Sequence, residues 1–288
     1  MAKTAGTSLL ITGAHGQLGR ALAAAAADRG LSFAGRDVDT LDIRDATAVH
    51  DWIAAARPAA VINCAAMTAV DDCESNEAEA TSINGDAVGN LAAACTAVGA
   101  RLVQISTDYV FSGDSDRPYS ESDATAPLSA YGRSKRLGEE LAGSSVSHLI
   151  VRTAWLYGHG GRSFVETIRA QIEGGARTLR VVADQRGCPT YCDHLAAAIL
   201  NLVDAQAEGV VHAVNSGDTT WHGFAVEIAR LLQAGVDIEP VSSPEFPRPA
   251  PRPAYSLLDT SRLTALLGRP MPHWRDALKT YLDRPCVS

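Results

Sequence analysis

One stretch near the N-terminus constrains the fold more than any other. Ser8-Leu9-Leu10-Ile11-Thr12 is a short apolar run, Gly13-Ala14-His15-Gly16-Gln17-Leu18-Gly19 follows at once, and Arg20 to Asp28 is almost all Ala and Leu. An apolar run of this length suits a buried parallel strand, and an Ala/Leu tract is strongly helical. Strand, glycine turn and helix in that order predict the first unit of a dinucleotide-binding sheet. Gly13 permits the tight turn, Gly16 lets a pyrophosphate reach the backbone, and Gly19 lets helix and strand pack closely. The helix N-terminus then favours the anion.

The alternation continues. Leu31 to Gly35, Ala59 to Cys64, Arg101 to Ser106 and His148 to Arg152 read as further strands. Helices are expected from a cap at Asp45 to about Arg57, from near Glu77 through Asn84 to Val98, and over the stretch carrying Tyr131 and Lys135. Strands alternating with helices predict an α/β fold, a Rossmann-type doubly wound parallel sheet. Ligands of such sheets lie beyond the carboxyl ends of the strands, where Ala65-Ala66-Met67-Thr68 leaves room for a cofactor. The second strand ends at Arg36-Asp37. An acid there would bond the adenosine ribose and an arginine would accept a 2′-phosphate. Arg36 comes first, which favours NADPH; Asp37 leaves NADH open. Asp71 to Ser75 reads as a polar loop of surface and capping groups.

Beyond Gly158 the pattern loosens. A helix near 163–172, a strand near 179–182 and a turn-rich loop from Asp184 to Thr190 precede a helix at 193–204 and a strand at 210–214, which read as a return to the sheet. A helix from Trp221 to Leu232 leads to Ser243 to Pro253, a stretch with five prolines. Such a segment is extended and stiff. With Arg248 and Arg252 it makes a basic strap suited to a diphosphate. Helices near 260–267 and 274–282 follow. The expected division is a dinucleotide-binding domain over 1–156, its sheet completed by about 191–216, and a smaller, partly interleaved C-terminal substrate domain from 157–190 and 217–288.

The chemistry concentrates where the fourth strand delivers Thr107 and Tyr131-Gly132-Arg133-Ser134-Lys135 opens the next helix. Tyr and Lys four apart share a helical face. A Lys ammonium beside a Tyr hydroxyl is expected to lower the Tyr pKa, and a proton donor works best with a pKa near the working pH. With Thr107 alongside, three groups converge on one carbonyl. Alone, Tyr-x-x-x-Lys is usually a packed Tyr and a solvated Lys; the glycine turn upstream places a dinucleotide beside this one.

Composition narrows the partners. A formal net charge of -8 and the absence of any Lys/Arg block argue against a nucleic-acid surface. No apolar run approaches the ~20 residues of a membrane span, and Met1 to Ser8 lacks the long apolar run of a signal peptide, so a cytoplasmic protein is expected. Six cysteines (64, 73, 95, 188, 192 and 286) are scattered without a Cys-x-x-Cys. Cys188 and Cys192 have no second pair to close a zinc site. Reduced structural thiols and no metal are expected.

The motifs combine to a specific pattern: the glycine turn 13–19, Asp42-Ile43, Asn63-Cys-Ala-Ala-Met-Thr68, Ser106-Thr-Asp-Tyr-Val-Phe111, Tyr131-x-x-x-Lys135, Arg152-Thr-Ala-Trp-Leu-Tyr157, Asp184-Gln-x-Gly-x-Pro-Thr190 and the strap 247–253. From about Leu9 to Leu282 the chain resembles the dTDP-4-dehydrorhamnose reductases, a family of extended short-chain dehydrogenase/reductases. The resemblance implies NAD(P)H-dependent reduction of the C4 ketone of a dTDP-linked 6-deoxysugar. By position, Gly16, Gln17 and Leu18 would line the pyrophosphate, Asp42 and Ile43 the adenine, and Ala65, Ala66 and Met67 the middle of the cofactor. Thr107 and Asp108 would contact the sugar, Trp155 would pack against it, and Arg252 would grip the diphosphate. Tyr131 would donate the proton, and Lys135 would tune it and bind ribose.

The implied partner is a nucleotide sugar, with the chain a monomer or homodimer. Some members of the family dimerise through a magnesium site that uses a Glu one residue past the position of Arg20; here that residue is Ala21. Reduction of another dTDP-6-deoxyhexose, as in antibiotic-sugar pathways, would use the same motifs. A dehydratase would need an Asp-Glu pair beside the Thr, and Thr107 is followed by Asp108-Tyr109. A non-catalytic regulatory subunit of the same fold, as in the beta subunit of methionine adenosyltransferase, is disfavoured by the intact Thr107, Tyr131 and Lys135.

Overall fold

A computed structural model describes residues 9–284; the signal-peptide reading of Met1 to Ser8 and the thiol of Cys286 lie outside the described residues. In chain order the elements are β1 (Leu9–Thr12), α1 (Gln17–Asp28), β2 (Phe33–Arg36), α2 (Ala46–Ala56), β3 (Ala60–Asn63), α3 (Val70–Ser75), α4 (Glu77–Thr81), α5 (Ala87–Val98), β4 (Arg101–Thr107), α6 (Ala130–Ala142), β5 (His148–Thr153), β6 (Leu156–Tyr157), α7 (Phe164–Glu173), β7 (Thr178–Val182), β8 (Arg186–Gly187), β9 (Thr190–Tyr191), α8 (Cys192–Asp204), β10 (Gly209–His212), β11 (Thr219–Thr220), α9 (Trp221–Leu231), β12 (Asp237–Val241), α10 (Ser261–Leu267) and α11 (Trp274–Asp283).

Six strands form one parallel sheet in the order β2-β1-β3-β4-β5-β10. Successive residues of a strand face opposite ways. Leu9 and Ile11 therefore join Ile62, Val103 and Val151 on one face, under Leu18 and Leu22 of α1 and Leu195 and Ile199 of α8. Leu10, Val61, Leu102 and Ile150 take the other face, under Val49 and Ile53 of α2 and Val88 and Leu91 of α5. Burial on both faces explains why these strands read as unbroken apolar runs. This is the Rossmann-type doubly wound sheet. The chain steps from β1 outward to β2 and then back to β3 on the other side of β1, so the order reverses there. Ligands of such sheets bind at that reversal.

A third apolar cluster holds the C-terminal part together around Tyr157, Tyr191, Phe224, Trp274 and Tyr281. The segment at 209–212 does return to the sheet, pairing Gly209 with Leu149. Three stretches differ from the sequence reading. Asp71 to Ser75 is helical, within α3. The helix expected over 77–98 is interrupted by a π-turn at Ser82–Asp86. β12, unanticipated because Pro240 and two acids break its pattern, pairs with β7 as a two-stranded ribbon.

Candidate active site

The turn after β1 and the loop after β3 touch. A Cβ built on Gly13, at φ +63°, would lie 2.6 Å from the Ala65 nitrogen, and one on Gly19 would lie 2.2 Å from the Gly13 carbonyl oxygen. Only glycine fits at either place. Gly16 is the N-cap of α1, with no side chain capping the helix and no acid in its first turn, so the first N–H groups are left to an anion. Leu18 is buried in the core. Gln17 turns its amide to the loop after β6, donating to the Arg162 carbonyl at 2.9 Å.

At the end of β2 the Arg36 guanidinium lies 5.1 Å from the Trp52 ring centroid. The Asp37 carboxylate accepts the His15 and Val38 N–H groups, each at 2.8 Å, so the acid is engaged by the glycine turn. Asp42 pairs with Arg44 at 2.6 Å, and the Arg44 side chain holds its carboxyl below the usual range. Ile43 is buried in the core, which leaves Asp42 as the more accessible of the two residues expected beside an adenine. Ala65, Ala66 and Met67 are half-buried at the end of β3.

Asn84, in the π-turn, was not singled out from the sequence as a site residue. Its amide accepts the Met67 N–H at 2.8 Å and donates to the Met67 carbonyl at 2.9 Å and the Ser134 hydroxyl at 3.0 Å. Ser134 in turn donates to the Tyr131 carbonyl at 2.8 Å. A Cβ on Gly138 would lie 2.2 Å from the Asn84 carbonyl oxygen, so glycine is what lets α6 lie on the π-turn. Such turns mark functional sites. This one ties the loop after β3 to the helix that carries the Tyr/Lys pair.

Thr107 ends β4 opposite Thr153 of β5. Ser129 caps α6, accepting from the Gly132 N–H at 3.2 Å. That orients Tyr131 and Lys135 one turn apart. Burial raises the Tyr131 phenol above its ordinary value, and the neighbouring Thr107 hydroxyl offsets this only in part. Lys135 does not lower it, contrary to the expectation from spacing. Its ammonium donates to the Ile105 carbonyl at 2.6 Å, and burial pushes its own pKa down to about 8, against the opposing charges of Glu139 and Cys64. Tyr131 is thus a protonated phenol at neutral pH, the state a proton donor needs.

Asp108 was expected to touch a sugar; the structure buries it, with 1% of its surface exposed. It accepts the Thr107 hydroxyl at 3.0 Å through Oδ1. Its Oδ2 has no partner of good geometry, and burial lifts its pKa from 3.8 to about 6, offset only in part by Ser256 and Thr107. A carboxyl whose folded pKa lies above its unfolded value favours folding below the unfolded value, and that advantage is lost as pH rises through about 6. Asp108→Asn keeps an acceptor for Thr107 and removes the buried charge. It should raise stability at pH 7 by on the order of 2 kcal/mol and flatten the change in stability between pH 6 and 4. Thermal melts at pH 7 and 4.5 would check this; an unchanged or lower Tm at pH 7 would mean the buried charge carries no net cost.

Trp155 sits at φ +47°, its ring stacked on Trp221 with centroids 3.6 Å apart and planes 8° from parallel. Arg252 is held by Asp71, with both guanidinium nitrogens at 3.0 Å. The Ala250 N–H donates to the same carboxylate at 3.2 Å, and Arg248 approaches it at 3.8 Å. Asp71, read from the sequence as a surface group, pins the proline strap to α3. The described cysteines 64, 73, 95, 188 and 192 are free thiols. Among the described residues no three His, Cys, Asp or Glu side chains gather as metal ligands would. No helix there is long and apolar enough to cross a membrane. Ala21, at the position where some members of the family carry a magnesium-binding Glu, faces the core of the sheet.

Comparison with known proteins places this geometry in context. Residues 7–286 match the family described as the RmlD substrate binding domain. A dTDP-4-dehydrorhamnose reductase of Streptomyces griseus is 46% identical over 285 residues, covering 96% of this chain and 93% of the relative. A probable dTDP-4,6-dihydroxy-2-methyloxan-3-one 4-ketoreductase of Streptomyces antibioticus is 45% identical, covering 94% and 92%. The crystal structure of dTDP-4-dehydrorhamnose reductase from Bacillus anthracis in complex with NADP superposes with a TM-score of 0.93 at 37% identity, covering 97% of this chain and 99% of that one.

Proposed function

Because the chain belongs to the RmlD substrate binding domain family, we propose that it reduces the C4 ketone of dTDP-4-dehydrorhamnose, using NADPH. The observation that carries the reading is the convergence of Thr107, at the end of β4, with Tyr131 and Lys135, one helical turn apart on α6, at the carboxyl ends of the strands. Gly13 and Gly19 close the turn tightly against backbone, and the uncapped start of α1 at Gly16 fits the pyrophosphate of a dinucleotide. Gly16, Gln17 and Leu18 would hold its pyrophosphate, Arg36 its 2′-phosphate, Asp42 its adenine end, and Ala65 to Met67 its middle.

NADPH, when bound, supplies the hydride that goes to C4. Negative charge then develops on the C4 oxygen, and the protein's own groups meet it. Tyr131 donates its proton there. The Thr107 hydroxyl, a rotor now turned to Asp108, can turn to the same oxygen. Lys135, held by the Ile105 carbonyl, places a positive charge under the site and can bond a ribose hydroxyl. Trp155 lines the sugar, and Arg252 exchanges Asp71 for the diphosphate. The body from 1–156 with 191–216 would carry the cofactor, and 157–190 with 217–288 the sugar nucleotide, in a cytoplasmic monomer or homodimer.

Purified protein mixed with NADPH and dTDP-4-keto-L-rhamnose should consume the absorbance of the reduced cofactor; no loss with any 4-keto-6-deoxysugar nucleotide would sink the reading. A second reading, reduction of a different dTDP-6-deoxyhexose, is favoured by the near-equal identity to the Streptomyces antibioticus relative. NMR of the product separates the two. Arg36→Ala should weaken NADPH binding about 10- to 100-fold, as expected for one charged hydrogen-bonding group, and leave NADH unchanged. A preserved preference for NADPH would put the 2′-phosphate elsewhere.

A further inference from the structure

Resting on that reading of the site, we infer that Glu74 is a positioning residue for Tyr131: its carboxylate reaches across from α3, holds the first turn of α6 and so fixes where the phenol sits. Ala130 is the first residue of α6 and Tyr131 the second. The proton donor therefore stands in the turn whose N–H groups have no acceptor within the helix. Helix ends fray where nothing outside holds them. Lys135 lies one turn further in, and the Ile105 carbonyl grips its ammonium directly. Tyr131 is placed instead through the backbone of its turn.

Ser129 supplies part of the hold. Its hydroxyl accepts the Gly132 N–H at 3.2 Å and its carbonyl the Arg133 N–H at 2.9 Å. The Ala130 N–H, next to Tyr131, is left over, and it donates to Glu74 Oε2 at 2.9 Å, a partner 56 residues away in the chain. The other oxygen of Glu74 lies 4.0 Å from Arg133 Nη2. α6 carries no acid in its own first turn, so Glu74 also supplies the negative charge that suits the positive end of a helix.

Both sides of the turn are fixed. A Cβ on Gly132 would lie 2.3 Å from the Tyr109 carbonyl oxygen, so the helix start already rests on the segment after β4. The Tyr131 ring rides on this turn, edge-to-face with Tyr109. On the other side Glu74 has a firm base. Cys73 beside it is 0% exposed and donates to the Met67 carbonyl at 3.5 Å, and Asp71, one turn back on α3, is locked to Arg252. Without the Glu74 bond the turn is held from one side only, and a shift of about 1 Å in a reacting group can cost about 10²-fold in rate.

The test uses the full chain. Glu74→Ala should lower kcat about 10- to 100-fold, while KM for the 4-keto sugar nucleotide and the affinity for NADPH stay within about twofold. Glu74→Gln keeps an oxygen for the Ala130 N–H and should recover most of the rate. Glu77→Ala removes the closer, exposed ion pair of Arg133, at 2.7 Å, but leaves the Ala130 bond, and should match the parent within about twofold. The double variant decides: because Glu74 acts through Tyr131, Glu74→Ala should cost no further single-turnover rate in a Tyr131→Phe chain. A parent-like kcat in Glu74→Ala would overturn the proposal. So would the full loss repeated in the Tyr131→Phe background, which marks a merely structural role, or a loss in Glu74→Gln as large as in Glu74→Ala. Should Glu74→Ala fail to fold, Glu74→Asp, one methylene too short to reach Ala130, takes its place in both tests. If the parent chain oxidises no NADPH with any 4-keto sugar nucleotide, the reductase reading falls by itself. Amide exchange then decides the role of Glu74, which stands if the amides of 130–133 exchange at least about tenfold faster in Glu74→Ala and falls if they do not.

Discussion

A Tyr131→Phe chain should reduce the 4-keto sugar nucleotide about 10²- to 10⁴-fold more slowly than the parent, the range a positioned general acid supplies, with its affinity for NADPH preserved. The substitution removes one hydroxyl and nothing that holds the helix. The ring keeps its edge-to-face contact with Tyr109, 5.6 Å between centroids, and the Tyr131 carbonyl keeps the Ser134 hydroxyl. The neighbouring Tyr109 phenol does not take over, because its hydroxyl is drawn toward Arg252 on the strap. Because burial keeps the Tyr131 proton on well above neutrality, the alkaline limb of kcat in the parent should report Lys135, near 8, rather than the acid itself. Single-turnover rates from pH 6 to 10 give both quantities. A rate close to the parent's would remove Tyr131 as the acid and leave Thr107 as the hydroxyl to pursue.

How much of this could be read from the chain depends on how local the cause is. The strands were legible because burial on both faces leaves unbroken apolar runs. The glycine turn was legible because its backbone geometry has few sequence solutions. The Tyr131–Lys135 spacing survived for the same reason: a helix puts i and i+4 on one side. The direction of the Tyr131 shift did not survive, because burial is a tertiary quantity that no spacing contains. Asn84 looks like any polar residue within a helix until the π-turn aims its amide at Met67 and Ser134. Asp71 meets a partner 181 residues away, and nothing in its own neighbourhood announces that. Trp221 is legible only as the first apolar residue of a helix, since its partner Trp155 lies on a different element and in a backbone conformation that side chains rarely predict.

Glu139→Ala should destabilise the fold by about 3–5 kcal/mol, the cost of leaving one partner of a buried ion pair alone; set against a total of about 5–15 kcal/mol, that is severe. Glu139 lies one turn beyond Lys135 on α6 and is 3% exposed, and Arg152 of β5 is 4% exposed. The carboxylate accepts both Arg152 Nε and Nη2 at 2.8 Å and the Ser106 hydroxyl at 2.6 Å. It thereby joins α6, β5 and β4, which deliver Tyr131, Trp155 and Thr107. His212, 3.4 Å from Arg152, cannot replace the acid. Burial and the guanidinium push its pKa down to about 3, so it stays neutral.

Glu139→Gln separates the charge from the shape, since the amide can still accept from Ser106. That variant should fold, and its effect should appear in the pH profile. The groups that raise the pKa of Lys135 against its burial are Glu139 and Cys64. The Cys64 thiol, pushed up to about 12, is neutral over the working range. Removing the Glu139 charge therefore lets burial draw Lys135 further below 8, and the alkaline limb of kcat should move to lower pH. Urea melts of the Ala variant and kcat profiles of the Gln variant check the two halves. An unmoved limb in Glu139→Gln would show that the carboxylate braces the sheet without supporting the charge on Lys135, and a Cm like the parent's in Glu139→Ala would show that Arg152 finds water or another partner when its acid is gone.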